Sequence, residues 1–111
     1  MKIDLKRLPN ASLGFIEPML AKTVHSLPAK GDWLYEVKLD GYRALVVKKR
    51  GQVTLFSRRG NALSRRFPTL PCAFDFLPEG SIVDGEIVVL DNTGKPSFSA
   101  LQNSLLRANT L

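Results

Sequence analysis

The sequence predicts an α+β fold built on a mostly antiparallel sheet with flanking helices. Three observations carry this. Runs of β-branched and aromatic residues with period-two alternation recur between residues 33 and 91. Arg50-Gly51 stands between two such runs, as a tight turn stands in a hairpin. A helical apolar stripe occurs near the end of the chain, at Phe98, Leu101 and Leu105.

Residues 1–31 hold Pro9, Pro18 and Pro28 and little periodicity, so they read as an extended lead-in with at most a short helix near Met19–His25. Residues 32–111 form the folded part. From Trp33 to Leu39 the side chains alternate, Trp33, Tyr35, Val37 and Leu39 on one face and Leu34, Glu36, Lys38 and Asp40 on the other. That pattern predicts a strand with its Trp33/Tyr35 face on the core, and it places these aromatics in the core rather than against a base. Gly41 breaks the strand, Tyr42–Lys49 forms a second, and Gln52–Ser57 returns from the turn.

Arg58 to Asn61 form a polar loop. Pro68 and Pro71 interrupt any helix in 62–77 or delay it until after Pro71. Ser81–Asp91 reads as a strong strand, with Val83, Gly85, Ile87 and Val89 opposite Ile82, Asp84, Glu86, Val88 and Leu90, and a turn follows at Asn92–Gly94. Ser99 and Gln102 have capping-box spacing, which predicts a helix from about 99 to 107.

Composition narrows the function classes. The 111 residues are 44% hydrophobic and 23% charged, as in globular domains, and a chain of this size buries only a modest core. If the segment belongs to a larger fold, some apolar surface should lie exposed. Sixteen Lys and Arg against ten Asp and Glu give a net charge of +6, which favours polyanionic partners. Lys48, Lys49, Arg50, Arg58, Arg59, Arg65 and Arg66 crowd one stretch. Cys72 is the one cysteine, so no internal disulfide forms, and its apolar neighbours predict a small buried side chain. His25 has no metal-ligand companions and reads as a loop residue. The N-terminus lacks the apolar core of a signal peptide, and no apolar run reaches the ~20 residues a membrane span needs. A cytoplasmic protein without a membrane partner is expected.

Three clusters can carry chemistry. Strand alternation puts Glu36, Lys38 and Asp40 on one face, with Arg43 following a glycine. A lysine there is a nucleophile only when neutral; a nearby cation such as Arg43, a metal ion or partial burial each favours the amine. Asp40 can orient that amine or help hold a metal, and Gly41 lets the backbone approach a ligand. The competing reading is a solvated, salt-bridged strand end. The second cluster is Asp84-Gly85-Glu86, two carboxylates sharing one face of an apolar strand. They suit a ribose hydroxyl, a hydrated Mg²⁺ or plain solvent. The third, Ser57-Arg58-Arg59-Gly60-Asn61, pairs arginine forks with a hydroxyl and suits phosphate or, again, solvent.

Together the clusters resemble the ATP-dependent DNA ligase family, within the covalent nucleotidyltransferases. Lys38-Leu39-Asp40-Gly41-Tyr42-Arg43 matches its KxDGxR motif, Ser57-Arg58-Arg59-Gly60 its Ser-Arg motif, and Asp84-Gly85-Glu86-Ile87-Val88 its DGE(I/L)V motif. Pro18-Met19-Leu20-Ala21 and Phe98-Ser99-Ala100-Leu101-Gln102 are also similar to family wording, nearest to bacterial end-joining ligases of the ligase D type. The resemblance runs from about Pro18 to Leu106, and three motifs in order make it specific. It implies the N-terminal portion of a DNA-ligase/mRNA-capping-type adenylation domain.

The resemblance also implies roles. Lys38 takes AMP from ATP, and the AMP passes to the 5′-phosphate of nicked or broken duplex DNA before a 3′-hydroxyl seals the strand, in repair and recombination. Asp40 supports the lysine, Glu36 reads the adenine edge, and Arg43 and Glu86 contact the ribose. Arg58 grips phosphate, with Arg59, Lys48 and Lys49 beside it as DNA-binding candidates. Mg²⁺ or Mn²⁺ falls to Glu86 and Asp40. A bacterial, nucleoid-associated location goes with this.

The sequence departs from the family pattern after Leu111, where a further motif with an adenine-stacking aromatic is expected; the later lysine motifs and the OB-fold domain do not appear in it. The remainder of such a ligase is therefore an expected partner, and the chain alone is expected to be severely impaired or inactive in ligation, which efficient nick sealing by it would refute. RNA ligases and capping guanylyltransferases share KxDGxR chemistry and form one alternative. A catalytically inactive nucleic-acid-binding remnant, using the basic cluster at 48–66, forms another.

Overall fold

The computed structural model describes residues 4–108, and the side chains of all of these except Leu5 and 105–108. A three-stranded antiparallel sheet organises the chain, in the order β2-β1-β3. The strands are β1 (Tyr42–Lys49), β2 (Gln52–Ser57) and β3 (Ile82–Ile87), followed by the helix α1 (Phe98–Ala108). Short 3-10 turns lie at Leu5–Arg7 and Pro71–Phe74. An α+β class with antiparallel strands thus describes what is seen.

The hairpin forms where the sequence places it. Lys49 pairs with Gln52, and Arg50 and Gly51 both take positive φ, 54° and 73°, as a two-residue turn with the right twist requires. Glu79 caps this turn: its carboxylate accepts the backbone N–H groups of Arg50 and Gly51.

The two faces of β1 are covered differently. Ala44 and Val46 join Leu55 and Leu63 in the core, with Phe67, Leu70, Phe74 and Leu77 of the segment after β2 packed on them. The other face carries Leu45 and Val47, also buried, and it is crossed by the lead-in. Phe15 packs on Phe56, Lys49 donates to the Leu13 carbonyl at 3.0 Å, and Arg43 donates to the Met19 carbonyl at 2.7 Å. The lead-in is extended as expected, but Met19–His25 forms no helix.

The expected strand from Trp33 to Leu39 does not form. Residues 31–40 are unpaired and exposed, Leu34 at 97% and Val37 at 86%. Trp33 and Tyr35 are therefore not core residues; their polar tips bond the carbonyls of Lys30 and Pro28 instead. Alternation states which side chains share a face, but it cannot supply a partner strand. Both edges of the neighbouring β1 are already taken by β2 and β3.

β3 is shorter than predicted for the same reason. Tyr42 pairs with Ile87, and β1 has no earlier residue to pair with Val88 and beyond. A single bridge, Leu90 with Pro96, closes the expected turn around Asn92–Gly94, where Asp91 Oδ1 accepts from Thr93 and Lys95.

The helix begins one residue before the expected start, and its cap is Ser97 rather than Ser99. Ser97 Oγ accepts the Ala100 N–H at 3.3 Å, while the Ser97 N–H is held by the Val89 carbonyl, so the helix starts where the bridge ends. Phe98 meets the Tyr42 ring at 5.6 Å and Leu101 is fully buried; the Leu105 side chain lies outside the described set. Cys72 is exposed, because the single turn after Pro71 presents Phe74 and Leu77 to the sheet instead. His25 lies in an exposed bend.

Candidate functional site

One end of the sheet opens into a hollow of about 850 Å³. Three chain segments build it. The first is the arm from Val37 to Leu39, which leads into β1 through Gly41. Gly41 has no room for a side chain: a Cβ there would meet the Ile87 carbonyl oxygen and lie 3.0 Å from Val88 Cγ1. The close passage of this backbone over β3 brings the arm beside Glu86.

The second segment is the loop after β2. Ser57 Oγ accepts the N–H groups of Arg59 and Asn61 at 3.3 and 3.1 Å, and the backbones of Ser57, Gly60 and Asn61 bond one another. Gly60 takes φ +80° with the Phe15 ring 3.2 Å from where its Cβ would be. The Ser57 hydroxyl oxygen thus shapes the loop, and the arginines project from it. The third segment is the turn Leu63–Arg66. Leu63 is buried in the core and its carbonyl accepts the Arg66 N–H at 2.9 Å.

Of the residues singled out in the sequence, Lys38, Arg43, Arg58, Arg59 and Glu86 line this hollow. Glu36 and Asp40 are exposed on the same arm but do not line it. Lys48 and Lys49 sit at the other end of the hairpin, about five residues or ~17 Å along β2. They bond to the Asp75 and Leu13 carbonyls, on opposite faces of the sheet. The basic stretch of the sequence is thereby split in two.

Arg43 is committed. Its Nε and Nη2 donate to the two oxygens of Asp84 at 3.0 and 2.6 Å, and its Nη1 to Met19. Register sets Arg43 directly opposite Glu86, yet the fork reaches diagonally to Asp84. This hydrogen-bonded pair holds the Asp84 carboxyl below its usual range and keeps Arg43 more firmly charged. Asp84 therefore positions Arg43, a role that its place in the motif did not reveal. Sequence reasoning also missed Arg66, Leu20 and Tyr42 as lining residues. Arg66 was visible only as one member of the basic cluster.

A cationic hollow with one carboxylate suits an anionic ligand that also offers hydroxyl groups. Among the described residues no group of three His, Cys, Asp or Glu is placed to hold a metal ion. Glu86 fits a metal that a phosphate ligand also binds, as Mg²⁺ commonly is. No helix among the described residues is long and apolar enough to cross a membrane.

Residues 18–109 match the family described as ATP dependent DNA ligase domain. The chain belongs to the ATP-dependent DNA ligase family. Its members are enzymes, and several similar proteins are bacterial end-joining ligases. The chain is 45% identical over 91 residues to the multifunctional non-homologous end joining protein LigD of Pseudomonas aeruginosa, covering 81% of this chain and 11% of that protein. It is 50% identical over 76 residues to DNA ligase C1 of Mycolicibacterium smegmatis, covering 67% of this chain and 22% of that one. A solved mycobacterial DNA ligase D, complexed with ATP and MES, aligns with a TM-score of 0.54 at 42% identity, over 61% of this chain and 23% of the other. The chain thus spans under a quarter of these ligases.

Proposed function

We propose that this chain carries the AMP-accepting step of an ATP-dependent DNA ligase, with Lys38 as nucleophile. The observation that supports it is the gathering of Lys38, Arg43, Arg58 and Glu86 from three motifs around one hollow. In the proposed step the neutral Lys38 amine attacks the α-phosphorus of ATP. An N–P bond forms, the bond to the β-phosphate oxygen breaks, pyrophosphate leaves, and the amine gives up a proton. An oxygen of the 5′-phosphate at a DNA break then attacks the AMP phosphorus, the N–P bond breaks and the Lys38 amine takes back a proton. Attack by the 3′-hydroxyl on that 5′-phosphate joins the strand and releases AMP.

The residues divide the work by position. Glu86 and Arg43 face the sugar, Asp84 holding the Arg43 fork in place. Arg58 binds phosphate from a loop that Ser57 and Gly60 shape. Asp40 and Glu36, on the exposed arm, are assigned to support of Lys38 and to the adenine edge. Glu86 and Asp40 would help hold Mg²⁺ or Mn²⁺, which would offset charge on the phosphate oxygens. Residues 1–31 serve as a lead-in and 32–111 as the N-terminal portion of the adenylation domain, working with the rest of a ligase on duplex ends. The bacterial end-joining ligases among its relatives favour repair of DNA breaks in a bacterial cytoplasm. Arg59 belongs to the DNA-facing surface, together with Lys48 and Lys49.

The test is incubation with α-labelled ATP and Mg²⁺, followed by denaturing electrophoresis, beside Lys38→Ala. Label on the wild-type chain alone is expected. Equal label on both would remove Lys38 from the role, and no label on either would show that this chain does not perform the step.

A further inference from the structure

The hollow holds more positive charge than a nucleoside monophosphate uses. Lys38, Arg58, Arg59 and Arg66 line it together with the single carboxylate of Glu86, while the charge of Arg43 is balanced by Asp84. Among the described residues, none of those four cationic side chains has a hydrogen-bond or ion-pair partner. Arg66 differs from the loop arginines in its support. It follows the buried Leu63, its own N–H is bonded to the Leu63 carbonyl, and Phe67 beside it packs on the core.

Arg66 also stands apart in place. Glu86 and Arg43 lie on the sheet face that the lead-in crosses, whereas the Leu63–Phe67 turn covers the opposite face. A ligand whose sugar meets Glu86 must pass the end of the sheet to reach Arg66. A nucleotide whose sugar meets Glu86 would bring the outer end of its phosphate chain, rather than its first phosphate, towards Arg66.

We propose that Arg66 binds the outer phosphates of the nucleoside triphosphate, the part that leaves as pyrophosphate. This rests on the nucleotide reading of the hollow. A guanidinium there discriminates triphosphate from monophosphate, because its charge-assisted hydrogen bonds have a partner only in the former. Its side chain is exposed and outside the core, so replacing it leaves the turn intact.

The experiment is equilibrium binding of ATP and of AMP to the full chain, for the wild type, Arg66→Ala and Arg66→Lys, with circular dichroism on each. Arg66→Ala is expected to weaken ATP about tenfold, the loss of one charged hydrogen-bonding contact, and to change AMP less than twofold. Arg66→Lys should recover part of the ATP affinity. Equal weakening of both nucleotides, or of neither, would overturn the role of Arg66 while AMP binding by the wild type upholds the nucleotide reading. Failure of the wild type to bind either nucleotide would overturn both.

Discussion

Single residues at this site work by occupying space as much as by charge. Gly41 is the clearest case, since its backbone passes so close to β3 that a methyl group would strike the Ile87 carbonyl. Backbone atoms of a paired strand cannot step aside as a flexible side chain can. Gly41→Ala should therefore destabilise the fold by about 2 kcal/mol or more, seen as a lower urea midpoint, and should displace the arm that carries Lys38. An unchanged midpoint would mean that the crossing has slack. The sequence showed Gly41 as a strand breaker three residues after the candidate Lys38, but the reason no other residue fits lies 46 positions further on, at Ile87. Arg43 teaches the same lesson. Its motif position implied a contact with the ligand but not that Asp84 and the Met19 carbonyl hold its fork in place.

At the scale of elements, the hairpin is the part that local chemistry specifies most fully. Its strands, its turn and its register follow from β-branched runs about Arg50-Gly51. What local chemistry does not contain is the cap from Glu79, which comes from 29 residues away. The Arg50 and Gly51 N–H groups hold the Glu79 carboxyl below its ordinary value of 4.5. Because the folded value is the lower one, this stabilisation is complete above the unfolded value and is lost as pH falls through the folded value. Glu79→Gln should accordingly be less stable than the wild type at neutral pH and should show a flatter loss of stability on acidification. Parallel pH–stability curves for the two proteins would exclude the cap as a source of acid sensitivity. The predicted strand at Trp33–Leu39 and the long β3 failed for a different reason: both depended on a neighbouring strand, which a pattern along one segment does not describe.

Over the whole molecule, the Cα radius of gyration is 17.0 Å, against about 13 Å for a compact domain of 100 residues. The arm at 31–40 contributes an exposed row that includes Trp33, Leu34 and Val37. Exposed apolar surface was the expectation for a segment of a larger fold, and the chain spans under a quarter of the three ligases compared above. Leu34→Ser should change stability by less than about 0.5 kcal/mol, and acrylamide should quench Trp33, the one tryptophan, readily in the native state. A strongly shielded Trp33 would show that the arm is covered in solution.

The sequence by itself determined the family, the hairpin, the α+β class and the residue types that meet at the site. These are carried by short motifs and local periodicity, which depend on a few neighbouring residues. Only the tertiary structure decided that Lys38, Arg43, Arg58 and Glu86 share one hollow while Lys48 and Lys49 lie at the far end of the hairpin, and that Arg66 joins the first group. Those facts depend on how strands pair and which backbone passes over which, and pairing is a contact between distant segments that neither segment encodes alone.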